Sequence, residues 1–329
     1  MATAVSTITG EEVQYLIAKM DRAAPLLPFS NPQDVPLQDR SAQHTSTTQA
    51  PPKHIQQVDS ITNHLKAANL CQPGTTFCEL GCGTAKLSDH VSEAMNGHSS
   101  HVLIDRKIFG STRLRDGAIV GRGKEKSQVR RITMDIGEIN NLPSTCDVDS
   151  VVAISKHLCG PAADLSIQCC VPTRTPMAVA TCCHYLCNWK QFSNTRFFET
   201  LGFTERDFQV LAIISQWASM KKASKTKRES NDHSTGWTQL PTLASLPPTI
   251  HPEYLIDSKE FETNFPREEK TALGKRCKLF LDTARAYRLQ EAGYRVKLVR
   301  YTTMSMEDHL IMAVPADATS GVKKQKRES

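Results

Sequence analysis

Five short apolar runs recur between residues 75 and 183, each followed by a stretch richer in alanine and polar residues. They are TTFCEL (75–80), HVLID (101–105), VRRITMDI (129–136), SVVAIS (150–155) and MAVATCC (177–183). Their length and composition are those of strands, and the stretches between them, notably 85–93 and 162–170, suit helices. Strands alternating with helices pair in parallel. A parallel sheet is covered on both faces, so its strands read as unbroken apolar runs such as VVAI. The pattern predicts a doubly wound, Rossmann-like α/β domain.

Further elements frame this unit. Residues 11–22 predict a short helix, and Ile55, Val58, Ile61, His64, Leu65 and Ala68 fall at helical spacing over about 56–69. Near the C-terminus, Leu273, Cys277, Phe280, Ala284 and Tyr287 step by four, three, four and three, one apolar stripe, with Gly293 placed as a C-cap glycine. Strands near 294–301 and 309–315 close the domain. The segments between are too polar to add a core. The expected organisation is therefore a short helix and linker (1–52), a first part of the α/β domain (53–219), a low-complexity basic insertion (220–252), a final helix and strands (253–316) and a basic tail (317–329).

Apolar runs such as VLAII (210–214) are strand-sized, far short of the roughly 20 residues of a membrane helix. The N-terminus lacks the basic start and apolar centre of a secretory signal. An intracellular protein, cytoplasmic or nuclear, is expected, with no membrane partner and as a monomer. Its 11 cysteines then read as free thiols or metal ligands. The net charge of +6 is concentrated in KKASKTKR (221–228) and KKQKR (323–327). Such runs are solvated tails or phosphate-attracting arms, and composition does not separate the two.

The first strand runs into E-L-G-C-G-T-A-K (79–86). Gly81 and Gly83 let a ligand approach the backbone there, and Asp105, at the end of the second strand, suits the hydroxyls of a ribose. A dinucleotide fingerprint would need a small residue where Lys86 stands, and no phosphate-binding G-x-x-x-x-G-K-[ST] loop occurs. Glu79 would repel a pyrophosphate but tolerates a cationic sulfonium. The cofactor expected is S-adenosylmethionine, bound by Glu79, Gly81, Gly83, Asp105 and Asp135, the last near the end of the third strand.

After the fourth strand the chain reads SKHLCGPAADL (155–165), and after the fifth, VATCCHYLCNWKQF (179–192). With KHIQQVDSITNHL, FCELGCGTAKLS, ISQWA and GKRCKLFLDTARAYRLQEAGY, these blocks resemble the eukaryotic tRNA 2′-O-methyltransferases that act on nucleotide four of the acceptor stem, the tRNA:m(4)X modification enzymes. The resemblance runs from Lys53 to about Leu310. It implies a class I methyltransferase fold, S-adenosylmethionine as donor and tRNA as substrate. Two departures stand out: that family usually begins with cysteine- and histidine-rich zinc fingers, whereas the first cysteine here is Cys71, and it tends to read CCHHRC where this chain has CCHYLC.

Ligands of open α/β sheets bind at the carboxyl ends of the strands, where Lys156 and His157 are expected to end the fourth. Lys156 is expected to stabilise a developing alkoxide, and His157 to take the proton or orient the sugar. His184, beyond the fifth strand, is expected to line the acceptor pocket, with Trp217, Lys278 and Arg285 as further substrate contacts. Bland alternatives exist for each: Trp217 as core, and Lys278 and Arg285 on a solvated helix face with a Lys278–Asp282 pair. Cys182, Cys183, His184 and Cys187 invite a zinc reading, since Cys183 and Cys187 have the C-x₃-C spacing of structural sites. Adjacent strand residues point to opposite faces, however, and no second pair completes a site, so no metal is expected. A noncatalytic RNA-binding protein on a decayed methyltransferase fold, or a methyltransferase for another substrate, are the competing functions.

Overall fold

The computed structural model describes residues 8–24, 53–110, 114–123, 128–219, 237 and 266–319. Most of the linker, the KKASKTKR run and the end of the basic tail lie outside the described residues. The elements are α1 (Gly10–Ala23), α2 (Lys53–Ala67), β1 (Thr76–Leu80), α3 (Lys86–Ala94), β2 (Ser100–Asp105), α4 (Asp116–Arg122), β3 (Val129–Thr133), α5 (Leu142–Cys146), β4 (Val152–Cys159), α6 (Pro161–Cys170), β5 (Met177–Cys182), α7 (Thr195–Thr200), α8 (Glu205–Ser215), α9 (Arg267–Glu291), β6 (Tyr294–Arg300) and β7 (His309–Pro315). The strands form one seven-stranded sheet in the order β3-β2-β1-β4-β5-β7-β6. β1 to β5 are parallel, and β7 pairs antiparallel with both β5 and β6.

Alternation along the central strands divides the core in two. Phe77, Val152, Ile154, Ala178 and Ala180 pack with Val58, Ile61, Leu65, Leu87 and Val91 of α2 and α3. Their neighbours Cys78, Ala153, Met177 and Val179 pack on the other face with Ile167 of α6, Leu211 and Ile214 of α8, and Phe280 and Ala284 of α9. Helices thus cover both sides of the sheet, as the unbroken apolar runs require.

Four local differences from the sequence expectation have physical causes. The run VLAII lies in α8, because Thr204 and Asp207 form a capping box that starts a helix upstream of it. β3 stops at Thr133, and Asp135 instead caps a short 3-10 turn over Ile136–Glu138. The first helix is no appendage: Val13, Leu16 and Met20 are buried in the main core, and Lys19 and Arg206 pair with Asp207 and Glu12 at 2.7 and 2.6 Å. Trp237, inside the expected insertion, packs on the α2–α3 core, with the Arg295 guanidinium 4.9 Å from its ring centre.

His101 of β2 is buried, stacked on Phe77 and 2.9 Å from Ser99 Oγ. Burial first, then the charge of Arg122, drives its imidazole down to about 4. The unfolded chain takes up that proton near the ordinary 6.5, so the unfolded state binds more protons as pH falls from 6.5 to 4, and stability drops across that window. Glu79, raised to about 7 by burial, acts in the opposite sense above its ordinary 4.5. Urea denaturation should therefore show His101→Leu losing less stability than wild type between pH 7 and pH 5. Parallel pH profiles would exclude the buried imidazole as a source of acid sensitivity.

Candidate active site

β1 ends in a turn built from left-handed residues. Gly81, Gly83 and Ala85 have φ of +66°, +51° and +60°. A Cβ at Gly81 would meet Leu158 Cδ2 at 2.7 Å, whereas nothing lies within 4 Å of the Cβ direction at Gly83. Gly81 is thus needed for close packing against β4, and Gly83 leaves the backbone open to a ligand. Asp105 closes the turn from β2: one carboxylate oxygen accepts the Gly83 N–H at 2.9 Å and the other the Lys107 N–H at 2.8 Å.

Glu79 lies beneath the turn rather than in the cleft. It is buried, and Oε2 accepts the Ser88 N–H of α3 at 2.9 Å, tying the helix to the strand. Asp135 accepts the Gly137 N–H at 2.9 Å. Sequence reasoning missed Arg131 of edge strand β3, because a basic residue there reads as a solvated side chain. Arg131 donates to the Gly83 carbonyl at 3.0 Å while Asp116 holds its guanidinium through two contacts of 2.9 and 2.8 Å.

β4 does not end before Lys156. It continues to Cys159, pairing Lys156 with Ala180 and Leu158 with Thr181, so that His157 is the extra residue of a bulge, with φ +66°. Pairing with β1 stops at Ile154, so residues 156–159 run past the glycine turn as an extension shared with β5. Lys156 still stands at the carboxyl edge of the sheet. Burial and the Lys86 charge lower its pKa, against the pull of Glu79. The His157 ring, accessible yet crowded by the strand edge, is pushed down to about 4 by desolvation and then by Lys156.

Cys183 breaks the alternation expected of adjacent strand residues. β5 ends at Cys182, Cys183 has φ +47°, and its thiol turns back toward Cys182 and Cys159. Gly160 then allows the two motifs to meet, since a Cβ there would lie 2.5 Å from Leu186 Cβ.

Beyond β5 is a pocket of about 450 Å³ whose lining includes His184, Tyr185, Gln216, Trp217, Lys278 and Glu307. Trp217 reaches it because Gly274 of α9 admits the Gln216–Ser219 turn, where a Cβ would meet Ala218 N at 2.2 Å. His184 is buried, with Nε2 2.8 Å from Asp282 Oδ2, the oxygen that also meets His309 Nδ1 at 2.7 Å and accepts from Thr181 at 3.0 Å. Burial raises Asp282, but His184, His309 and Arg285 outweigh it and hold the carboxyl well below its usual range. An ionised carboxylate only accepts, so Nε2 must donate. Desolvation lowers the His184 pKa, which leaves Nδ1 as a lone pair. That atom is buried with no hydrogen-bond partner among the described residues, 3.8 Å from Glu307 Oε2.

His184, Trp217 and Lys278 therefore share one pocket, but Lys278 and Arg285 are not on a solvated face. Lys278 is buried, 3.1 Å from Glu307 Oε2 and hydrogen-bonded to the Met306 carbonyl, and no Lys278–Asp282 pair forms. Arg285 is sealed inside, with Nε and Nη2 on the two oxygens of Asp164 at 3.1 and 2.6 Å and Nη1 on Asp282 at 2.9 Å. Its expected substrate contact is corrected to a bridge between α6 and α9. The cause is that α9 is buried almost all round from Cys277 to Tyr287, so its polar face meets other elements rather than water.

A family model described as Methyltransferase TRM13 matches residues 56–314. The chain belongs to the TRM13 methyltransferase family. Among the relatives it resembles is the tRNA:m(4)X modification enzyme TRM13 homolog of Dictyostelium discoideum, 34% identical over 182 residues, 51% of this chain and 34% of that protein. The human homolog of the same description is 27% identical over 82% of this chain and 66% of its own length. The Yarrowia lipolytica enzyme is 25% identical over 77% and 57%. The chain thus spans about a third to two-thirds of the length of these relatives. No solved structure matches it.

The Arg285 bridge makes a direct prediction. Arg285→Ala leaves Asp164 and Asp282 buried without their shared cation, a loss of about 3–5 kcal/mol in urea denaturation. Wild-type stability in Arg285→Ala would show that the bridge does not hold α6 to α9.

Proposed function

We propose that the chain transfers a methyl group from S-adenosylmethionine to the ribose 2′-hydroxyl of nucleotide four in the tRNA acceptor stem. The observation that carries this reading is the carboxyl edge of the sheet, where the open glycine turn, the Lys156–His157 extension and the His184 pocket adjoin. The strand order, with β7 inserted antiparallel between β5 and β6, supports a Rossmann-like class I methyltransferase fold. The names of the relatives, tRNA:m(4)X modification enzymes, support tRNA as substrate. We further propose a monomer acting in the cytoplasm or nucleus. No helix among the described residues is long and apolar enough to cross a membrane.

The residues present fit the donor. Gly83 is open above its Cα, and each Asp105 oxygen, bound to one backbone N–H, retains a lone pair for a ribose hydroxyl. Glu79 adds a buried acid beneath the turn, favourable to a cation above it. When bound, the donor supplies an electrophilic methyl on a sulfonium. The chain's own residues then orient the acceptor: Lys156 stabilises negative charge on the 2′ oxygen, His157 accepts or positions its proton, and the His184 pocket with Trp217 and Lys278 holds neighbouring RNA atoms. Positioning of this kind supplies much of the rate.

Asp105→Ala should remove charge-assisted hydrogen bonds of about 1.5–3 kcal/mol each. Calorimetry should accordingly find S-adenosylmethionine binding roughly ten- to a hundredfold weaker, and unchanged affinity in the folded variant would remove Asp105 from the site. Labelled donor and tRNA should yield an alkali-resistant dinucleotide from the acceptor stem, because a 2′-O-methyl removes the nucleophile of alkaline cleavage. Label found in mononucleotides would instead mean base methylation. Lys156→Ala and His157→Ala should keep donor binding while single-turnover rates fall about a hundred- to ten-thousandfold. Wild-type rates in both would exclude them from the chemistry.

A further inference from the structure

The methyl-transfer reading makes no use of three thiols. Cys159, from the end of β4, meets Cys182 at the end of β5, with the two Sγ atoms 3.1 Å apart. Cys183 completes the group, and all three sulfurs lie within 4.8 Å of one another. Buried cysteines commonly do no more than pack. That explanation suits Cys170 and Cys277, which are fully enclosed, but Cys159 is exposed and Cys183 half-exposed.

The backbone also points to this group. Two residues with side chains, His157 within β4 and Cys183 just after β5, adopt left-handed φ of +66° and +47°. Such conformations are costly outside glycine and persist where the surroundings demand them. The bulge at His157 sends Leu158 inward against Gly81 and leaves Cys159 paired with Cys182. The turn at Cys183 brings its sulfur back to the same point. Thus two departures from regular strand geometry converge three sulfurs at the accessible end of the β4–β5 extension.

We propose that Cys159, Cys182 and Cys183 form a thiolate metal site that takes Zn²⁺, with the remaining position open to water. Three thiolates on tetrahedral zinc, with bonds near 2.3 Å, stand about 3.8 Å apart, so the close pair opens by about 0.7 Å through side-chain rotation. Binding releases the thiol protons to solvent, and no electron changes hands. The cation would clasp the ends of β4 and β5 beside Lys156.

The test uses the full chain, reduced and stripped of metal, titrated with Zn²⁺ against a chromophoric chelator, with Co²⁺ as a spectroscopic substitute. One equivalent of zinc and a thiolate-to-cobalt charge-transfer band are expected. Loss of a ligand should exceed the roughly ten- to hundredfold cost of disturbing a metal's outer contacts, so Cys159→Ser, Cys182→Ser and Cys183→Ser should each weaken zinc by more than that. Cys71→Ser, outside the cluster, should bind like wild type. If a variant does not fold, wild-type protein answers the same question: zinc should slow alkylation of these three cysteines, read by mass spectrometry. Zinc retained by the triple serine variant, zinc lost on His309→Gln but not on the cysteine changes, or a Cys159–Cys182 disulfide with no zinc uptake by the reduced chain would each overturn the assignment. None of these readouts depends on methylation.

Discussion

Asp282 is a carboxylate sealed from water in the middle of a helix, and its four hydrogen-bonding partners decide where the surrounding elements sit. His184 and Thr181 reach it from the end of β5, His309 from the start of β7 and Arg285 from one turn further along α9. Arg285 passes the linkage on to Asp164 of α6. A buried charge without partners would cost several kcal/mol, so these contacts are obligatory rather than decorative. The consequence is geometric: the last helix, taken from beyond a long sequence gap, fixes the loops after β4 and β5.

That linkage explains how a parallel sheet acquires a pocket at one point along its carboxyl edge. β1 and β2 stop at the glycine turn and Asp105, while β4 and β5 run on together past it. The longer strands carry Lys156 and His157 past the turn, and nothing lies within 4 Å of the Cβ direction at Gly83. Farther along the edge, Gly274 brings Trp217 against α9, and Glu307 approaches from the connection before β7. Residues distant in sequence thus meet because two glycines, Gly160 and Gly274, permit backbone approaches that any side chain would block.

Most of the sheet was legible because burial on both faces leaves a local mark, an unbroken apolar run. Strand ends were less so. The bulge at His157 has no compositional signal, since Lys156 and His157 look like the polar residues that finish a strand, and pairing with β5 extends β4 through them. The thiol cluster was hidden for the same reason: alternation assigns Cys182 and Cys183 to opposite faces, and only the left-handed Cys183 undoes it. Arg285 was misread, and the solvated-face alternative for Lys278 failed, because helical spacing identifies the most apolar stripe but not how completely a helix is enclosed. Arg131 carried no signal, as its partners Asp116 and Gly83 are separated from it in sequence.

His184 shows why enclosure matters for chemistry as well as for stability. On a surface, an imidazole would exchange tautomers freely and offer either nitrogen to a ligand. Here Asp282 fixes Nε2 as the donor, and desolvation keeps the ring from taking a second proton. Nδ1 is thereby committed as an acceptor at the pocket floor, beside the ion pair of Lys278 and Glu307. Both groups are buried, so the protein itself fixes the direction of the His184 lone pair and the place of the Lys278 ammonium. The same carboxylate that holds α9 in the core therefore sets the tautomer of a histidine in the pocket lining, and a change at Asp282 alters both together.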